Sequence, residues 1–284
     1  MSERRLCGME AGPRMSNVKI DVRGLCKIFG SPDKPGGGTE VLKDISFEIR
    51  QGEILCLLGP SGCGKTTVLN IIAGFQKPTR GDVLINGKFI NRPGPDRGVI
   101  FQEHGLFPWR TALENILFGP EVMGRKSLET LALADQYIDL IGLRGFQNHY
   151  PHELSGGMQQ RVSIARVLVN QPDILLMDEP FGKLDAQTRA QMQVLLLDLW
   201  EKVRPTILFI THDIDEAIFL GDRIFVMSVR PGRVVKEIEV KLSRPRDYEV
   251  VTSADYLEIK RTILGLFKGM SNPQPQRQEG ETAR

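Results

Sequence analysis

The 284 residues include 41% hydrophobic and 25% charged side chains, the balance of a globular protein able to bury a core, which excludes a tail-like peptide or a chain disordered throughout. With 37 Lys and Arg against 35 Asp and Glu the net charge is +2, so no global field draws the chain onto nucleic acid or anionic lipid. The length exceeds the roughly 100–200 residues of an ordinary domain and predicts one large two-lobed domain or a domain with an appendage.

Residues 1–15 are polar and without periodicity, and alternating Val18, Ile20 and Val22 start the folded part near residue 16. The segment GSPDKPGGGTE after Phe29 is a loop by its glycines and prolines, and Ile45, Phe47 and Ile49 alternate beyond it, so an antiparallel flank is expected. ILCLL (54–58) is a continuous apolar run, the pattern of a strand buried on both faces, followed by glycines and a helix. The runs VLIN (83–86), VIFQ (99–102), ILLMD (174–178), TILFIT (206–211) and RIFVMS (223–228) alternate with helical stretches and predict an α/β sheet. Between Gln102 and Ile174 the spacing of Leu128, Leu131 and Ala132, then of Leu133, Tyr137, Leu140 and Ile141, is helical, which predicts an inserted all-helical subdomain at about 103–170. RVVKEIEV reads as a strand, 246–270 contains a C-terminal helix, and the polar 271–284 reads as a disordered tail.

No apolar stretch reaches the ~18–20 residues of a spanning helix, and the N-terminus lacks the apolar region of a secretory signal. Cys7, Cys26, Cys56 and Cys63 form no CxxC pair, which predicts neither a zinc site nor a disulfide framework and fits a reducing cytoplasm.

GPSGCGKT (59–66) fits GxxxxGK[ST] and lies between a buried strand and an apolar helix, the context a phosphate-binding loop requires. Gly59, Gly62 and Gly64 let the backbone close on phosphate oxygens, with Pro60, Ser61, Cys63 and Thr67 lining the same turn; Lys65 should reach the β- and γ-phosphates and Thr66 should ligate Mg²⁺. Cys63, at a helix N-terminus beside Lys65, is expected to have a lowered thiol pKa and to be reactive, the alternative being a side chain that points into the core and is inert. ILLMDEP (174–180) ends a strand with two acids: Asp178 suits a Mg²⁺ ligand and Glu179 a base for an attacking water, although capping acids would read the same in isolation. LSGGMQQR (154–161) puts Ser155, Gly156 and Gly157 at a helix N-terminus, where either an anion contact or simple capping explains them.

The order phosphate loop, Gln102 after a strand, LSGG, DE after an apolar strand, LDA (184–186) and His212 in THD resembles the ATP-binding subunit of ABC transporters over about residues 16–245. The resemblance implies a P-loop NTPase core of RecA-like α/β type with an antiparallel flank and a helical insertion. It implies ATP and Mg²⁺, with Lys65, Gln102, Glu179 and His212 catalytic and Thr66, Gln102 and Asp178 around the metal. It further implies a head-to-tail pair of copies in which Ser155, Gly156 and Gly157 of one contact the γ-phosphate of the other and Asp185 bridges the seam. Phe29 falls where the family stacks an aromatic ring on adenine, though a strand-end Phe also suits a core.

PWRTALENILFG (108–119) and LSRPRDY (242–248) look like the branch importing nitrate, taurine and sulfonates. That implies separate permease subunits, a solute-binding protein beyond them, a peripheral place on the cytoplasmic membrane face, and no nucleic-acid partner. Two positions depart from the family pattern: Met158 follows LSGG, and Lys183 stands where a small residue is usual, beside the implied seam. His104, His149 and His152 lack metal-ligand spacing; Trp109 lies in a Pro-flanked loop and reads as facing the membrane partner, and Trp200 ends an apolar helix and reads as core. An ABC protein acting on nucleic acid would need coiled coils or zinc modules, and a GTPase an NKxD motif; neither is found.

Overall fold

A computed structural model describes residues 17–30 and 37–271. The expected extension at 1–15 and most of the expected tail at 271–284 lie outside the described residues.

Strands β1 (Val18–Phe29) and β2 (Thr39–Arg50) pair antiparallel. Their inward positions, Ile20, Val22, Ile45 and Ile49, are buried, as alternation along a half-solvated ribbon requires. Strand β3 (Ile54–Leu58) is buried at every position and runs into helix α1 (Lys65–Ala73). Strands β4 (Arg80–Ile85) and β5 (Lys88–Phe89) complete a four-stranded antiparallel sheet in the order β2-β1-β4-β5. VLIN therefore belongs to the flank and not to the main sheet: the register Ile20↔Ile85 and Val22↔Val83 buries its apolar residues against β1. A short apolar run does not say which sheet it will join.

After β6 (Arg97–Ile100) come helices α2 (Ala112–Val122), α3 (Leu128–Leu140) and α4 (Gly156–Leu168), with a 3₁₀ turn at Pro151–Glu153. Helix α2 starts in a full capping box: the Glu114 amide donates to Thr111 Oγ1, and the Thr111 amide donates to the Glu114 carboxylate. The chain then alternates β7 (Ile174–Asp178), α5 (Ala186–Val203), β8 (Thr206–Thr211), α6 (Ile214–Leu220) and β9 (Arg223–Met227), and ends in β10 (Val234–Glu239) and α7 (Ala254–Ser271).

The main sheet has the order β10-β9-β3-β8-β7-β6, parallel except for the β9–β10 hairpin at its edge. Residues of β3 alternate between two cores: Ile54, Cys56 and Leu58 join α4, α5, α6 and α7, whereas Leu55 and Leu57 join α1 and the antiparallel flank. This is why ILCLL shows no polar position. Because Leu58 pairs with Thr211 and Ile210 with Asp178, the ends of β3, β7 and β8 coincide along one edge of the sheet. That carboxyl edge is where open parallel sheets hold their ligands.

Candidate active site

Beyond β3, Gly64 takes φ 99°, and a Cβ there would lie 2.5 Å from the Leu42 side chain. Both the left-handed conformation and the close packing demand glycine. Helix α1 starts at Lys65 with no side-chain cap, so its first amides remain available to an anion. Lys65 is buried; its Nζ donates to Gly59 O at 2.7 Å and Pro60 O at 3.2 Å and sits 3.5 Å from Glu179 Oε1. Pro60, Ser61 and Gly62 form the exposed rim of the loop, with Thr67 one residue into α1 behind Thr66.

Adjacent acids at the end of β7 point to different partners. Asp178 accepts from Thr66 Oγ1 at 3.1 Å, while Glu179 Oε2 lies 2.8 Å from His212 Nδ1. A positive φ of 45° at Glu179 turns the chain off the strand and separates the two carboxylates; its amide remains tied to Ile210 O. Such a conformation costs on the order of 1–3 kcal/mol in a non-glycine residue and is typical of functional positions. Facing an acceptor-only carboxylate, His212 Nδ1 is assigned the proton.

Burial pushes the Asp178 carboxyl above its ordinary range, the Thr66 hydrogen bond partly offsetting this and the Glu179 charge adding to it. A carboxylate oxygen 3.1 Å from a hydroxyl oxygen is a hard oxygen donor pair, and it fits Mg²⁺. Gln102 follows β6 at the same edge: a Cβ on Gly182 would lie 3.3 Å from Gln102 Nε2, so its amide rests on the loop leaving Glu179. Lys183 adds an exposed tie between the same two loops, its Nζ 3.0 Å from Glu103 Oε1.

Ser155 and Asp185 form a second group. Each caps a helix: Ser155 Oγ accepts from the Met158 amide and Asp185 Oδ1 from the Thr188 amide, and hydrogen bonds from Thr188, its side chain first and then its amide, lower the Asp185 pKa. A Cβ on Gly157 would lie 2.6 Å from Thr188 Cγ2, so the two helix N-termini are neighbours. Ser155, Gly156 and Asp185 are exposed, and among the described residues no hydrogen bond joins them to the phosphate loop. Phe29 ends β1 at 41% exposure with Lys27 Nζ 5.1 Å from its ring centre, an exposed ring and not a core position.

The expectation for Cys63 is corrected. Its side chain is 1% exposed, packed in the core with Val68 and Met227, and burial raises the thiol pKa by more than the nearby Lys65 lowers it. Only its backbone is available to the loop's concavity. The reading failed because motif spacing fixes which residues line the turn but not which way each side chain points.

The histidines outside the site have local partners: His104 Nδ1 lies 2.6 Å from Gln160 Oε1, and His149 and His152 pack on Phe146 and Tyr150. Trp200 is core and Trp109 is 71% exposed.

The family model described as ABC transporter matches residues 42–182. An uncharacterized ABC transporter ATP-binding protein of Methanocaldococcus jannaschii is 49% identical over 88% of this chain and 92% of its own length. The chain belongs to the ABC transporter family of ATP-binding proteins. A taurine import ATP-binding protein of Jannaschia sp. is 44% identical over 88% of this chain and 94% of its own. Among solved structures, the dimeric structure of a bacterial ABC transporter cassette superposes with a TM-score of 0.68 at 34% identity, covering 79% of this chain and all of that one. A post-hydrolysis dimer of such a cassette bound to ADP and Pi gives 0.67 at the same identity and coverage.

One part of this ABC chain's site escaped the motifs. Asp213 caps α6, accepting from the Asp215 and Glu216 amides, and Arg189 reaches it from α5. An Asp before the helical run IDEAIFL was readable as an N-cap; nothing in the sequence pointed to Arg189.

Proposed function

We propose that this chain is the ATP-hydrolysing motor of an ABC importer for taurine-like small sulfonates or nitrate. The observation carrying the reading is the Glu179 carboxylate, held between Lys65 Nζ at 3.5 Å and His212 Nδ1 at 2.8 Å beside the Asp178–Thr66 pair. The phosphate chain of ATP enters the Gly59–Thr67 loop, and Lys65 exchanges the Gly59 and Pro60 carbonyls for phosphate oxygens. Thr66, Asp178 and Gln102 would hold Mg²⁺, which would supply charge neutralisation to the phosphate oxygens. Glu179, fixed by His212, accepts a proton from the attacking water as the water oxygen bonds the γ-phosphorus and the bond from that phosphorus to the β,γ-bridging oxygen breaks, so that ADP leaves with the electron pair and phosphate is released. Phe29 supplies the face for adenine.

Two copies pair head to tail. The exposed Ser155 and Gly156 of one, with the half-buried Gly157, cover the γ-phosphate bound by the other, with Asp185 at the seam, and the uncapped α1 and Ser155-capped α4 N-termini then face the same anion. The chain works on the cytoplasmic membrane face with permease subunits and a solute-binding protein beyond them. Exposed Phe75, Phe101 and Trp109 suit an apolar contact with a permease, and no described helix is long and apolar enough to cross the membrane itself. The relatives named for taurine import support the solute class.

Glu179→Gln keeps the side-chain volume and removes the proton acceptor. It is expected to bind ATP as the parent does and to lose at least about 100-fold in turnover, within the range for removal of a general base. Phosphate release and nucleotide binding by the purified chain check this, and uptake of labelled taurine in cells lacking the gene checks the solute. A parent that releases no phosphate from MgATP, or a Glu179→Gln variant with unchanged turnover, overturns the reading.

A further inference from the structure

Arg189 lies one turn beyond the Asp185 cap of α5. Its guanidinium donates from NH2 to Leu184 O at 3.0 Å and from NH1 to Asp213 Oδ2 at 3.5 Å, and its Nε is 3.9 Å from Glu216 Oε1. Leu184 immediately precedes Asp185. Asp213 immediately follows His212.

Glu216 reaches the other flank of His212. Thr211 Oγ1 donates to Glu216 Oε2 at 2.6 Å and accepts from the Asp213 amide at 2.9 Å. Residues 211 and 213 are thus tied into one network, and the residue between them presents its ring to Glu179. Glu216 is buried and further held by Gln193 Nε2 at 3.4 Å, so this network has little freedom to rearrange piecemeal. A planar guanidinium reaches the two loops from separate nitrogens in a rigid fork, a geometry that an ammonium, with all its donors on one nitrogen, does not reproduce.

We propose that Arg189 is a positioning residue for hydrolysis, coupling the loop that presents Asp185 to the loop that presents His212. Contact of a second copy with Asp185 is passed through Leu184 and Arg189 to Asp213, and so to the His212–Glu179 pair. The proposal rests on the reading of the chain as a dimeric ATPase. Arg189 touches neither the phosphate loop nor Phe29, so the coupling acts on turnover and not on nucleotide affinity.

The test compares Arg189→Met and Arg189→Lys, each alone and with His212→Ala, by kcat, KM for ATP, and nucleotide affinity. Arg189→Met is expected to lower kcat about tenfold or more, the scale of a misplaced catalytic group. KM and affinity should stay within about twofold of the parent. Arg189→Lys should restore only part of kcat, because it reaches one loop or the other. In the His212→Ala background either change should cost less than about twofold, since coupled residues are not additive. A kcat equal to the parent's, a full multiplicative loss on top of His212→Ala, or a parallel loss of nucleotide affinity overturns the proposal. If Arg189→Met does not fold, the same comparisons with Arg189→Lys decide. A parent without ATPase activity overturns the function itself; an active parent indifferent to Arg189 overturns only the coupling.

Discussion

Within the phosphate loop, Cys63 has its thiol in the core while its backbone belongs to the loop, a division made by the turn on either side of it. Burial raises its pKa, so the nucleophilic thiolate is scarce at neutral pH despite Lys65 two residues on. Maleimide treatment of the folded protein is therefore expected to leave Cys63 unmodified over a period that labels it fully in denaturant. Peptide mapping after each treatment checks this, and equal labelling in both would contradict the burial. Lys183 shows the same dependence on surroundings: the departure from a small residue leaves its ammonium beside Glu103 in an exposed pair, which salt screens and which constrains little.

Helix ends carry the site, and their fixation explains the sequence around them. Asp213 caps the start of α6, while Arg246 clamps its end: NH1 donates to Ile218 O, Phe219 O and Gly221 O at 3.2, 2.9 and 2.8 Å, and NH2 to Leu242 O at 3.3 Å. Burial lowers the Arg246 pKa to about 10, which still leaves it charged at neutral pH, favourable at a helix C-terminus. Arg246→Met would leave those carbonyls buried without their donor, at a cost of at least about 2 kcal/mol. The thermal midpoint should fall by roughly 4 °C or more on that basis, for a domain of this size. Thermal unfolding followed by circular dichroism measures it; an unchanged midpoint would remove the clamp from the account. The LSRPRDY segment is thus a structural fastening for the helix that follows His212.

At the scale of the whole molecule, the phosphate loop and the Ser155 helix are separate groups, so the proposed complete site needs two copies. Lys65→Ala disables one half-site of a protomer and Ser155→Arg the other. In a mixed pair, one site carries both defects and the other carries neither. Each variant alone is expected to be inactive, and an equimolar mixture should recover about a quarter of parental turnover if pairing is random and the sites act independently. Phosphate release from the mixture checks it. No recovery would contradict independently acting sites shared between two copies.

Local patterns were enough for what depends on neighbours along the chain. The buried strand ILCLL, the GPSGCGKT loop and the acids ending ILLMD are contiguous, because a glycine turn and a helix N-terminus make a phosphate site from adjacent residues. The order of the motifs then indicated the family. Tertiary structure alone decided which side chains meet. In-register pairing of β3, β8 and β7 brings Thr66, Asp178, Glu179 and His212 to one sheet edge from positions up to 146 residues apart, 212 − 66. It also assigned VLIN to the flank, turned Cys63 inward and set Arg189 between Leu184 and Asp213. These outcomes turn on sheet register and on packing between distant segments, and neither has a period that a local stretch of sequence can carry.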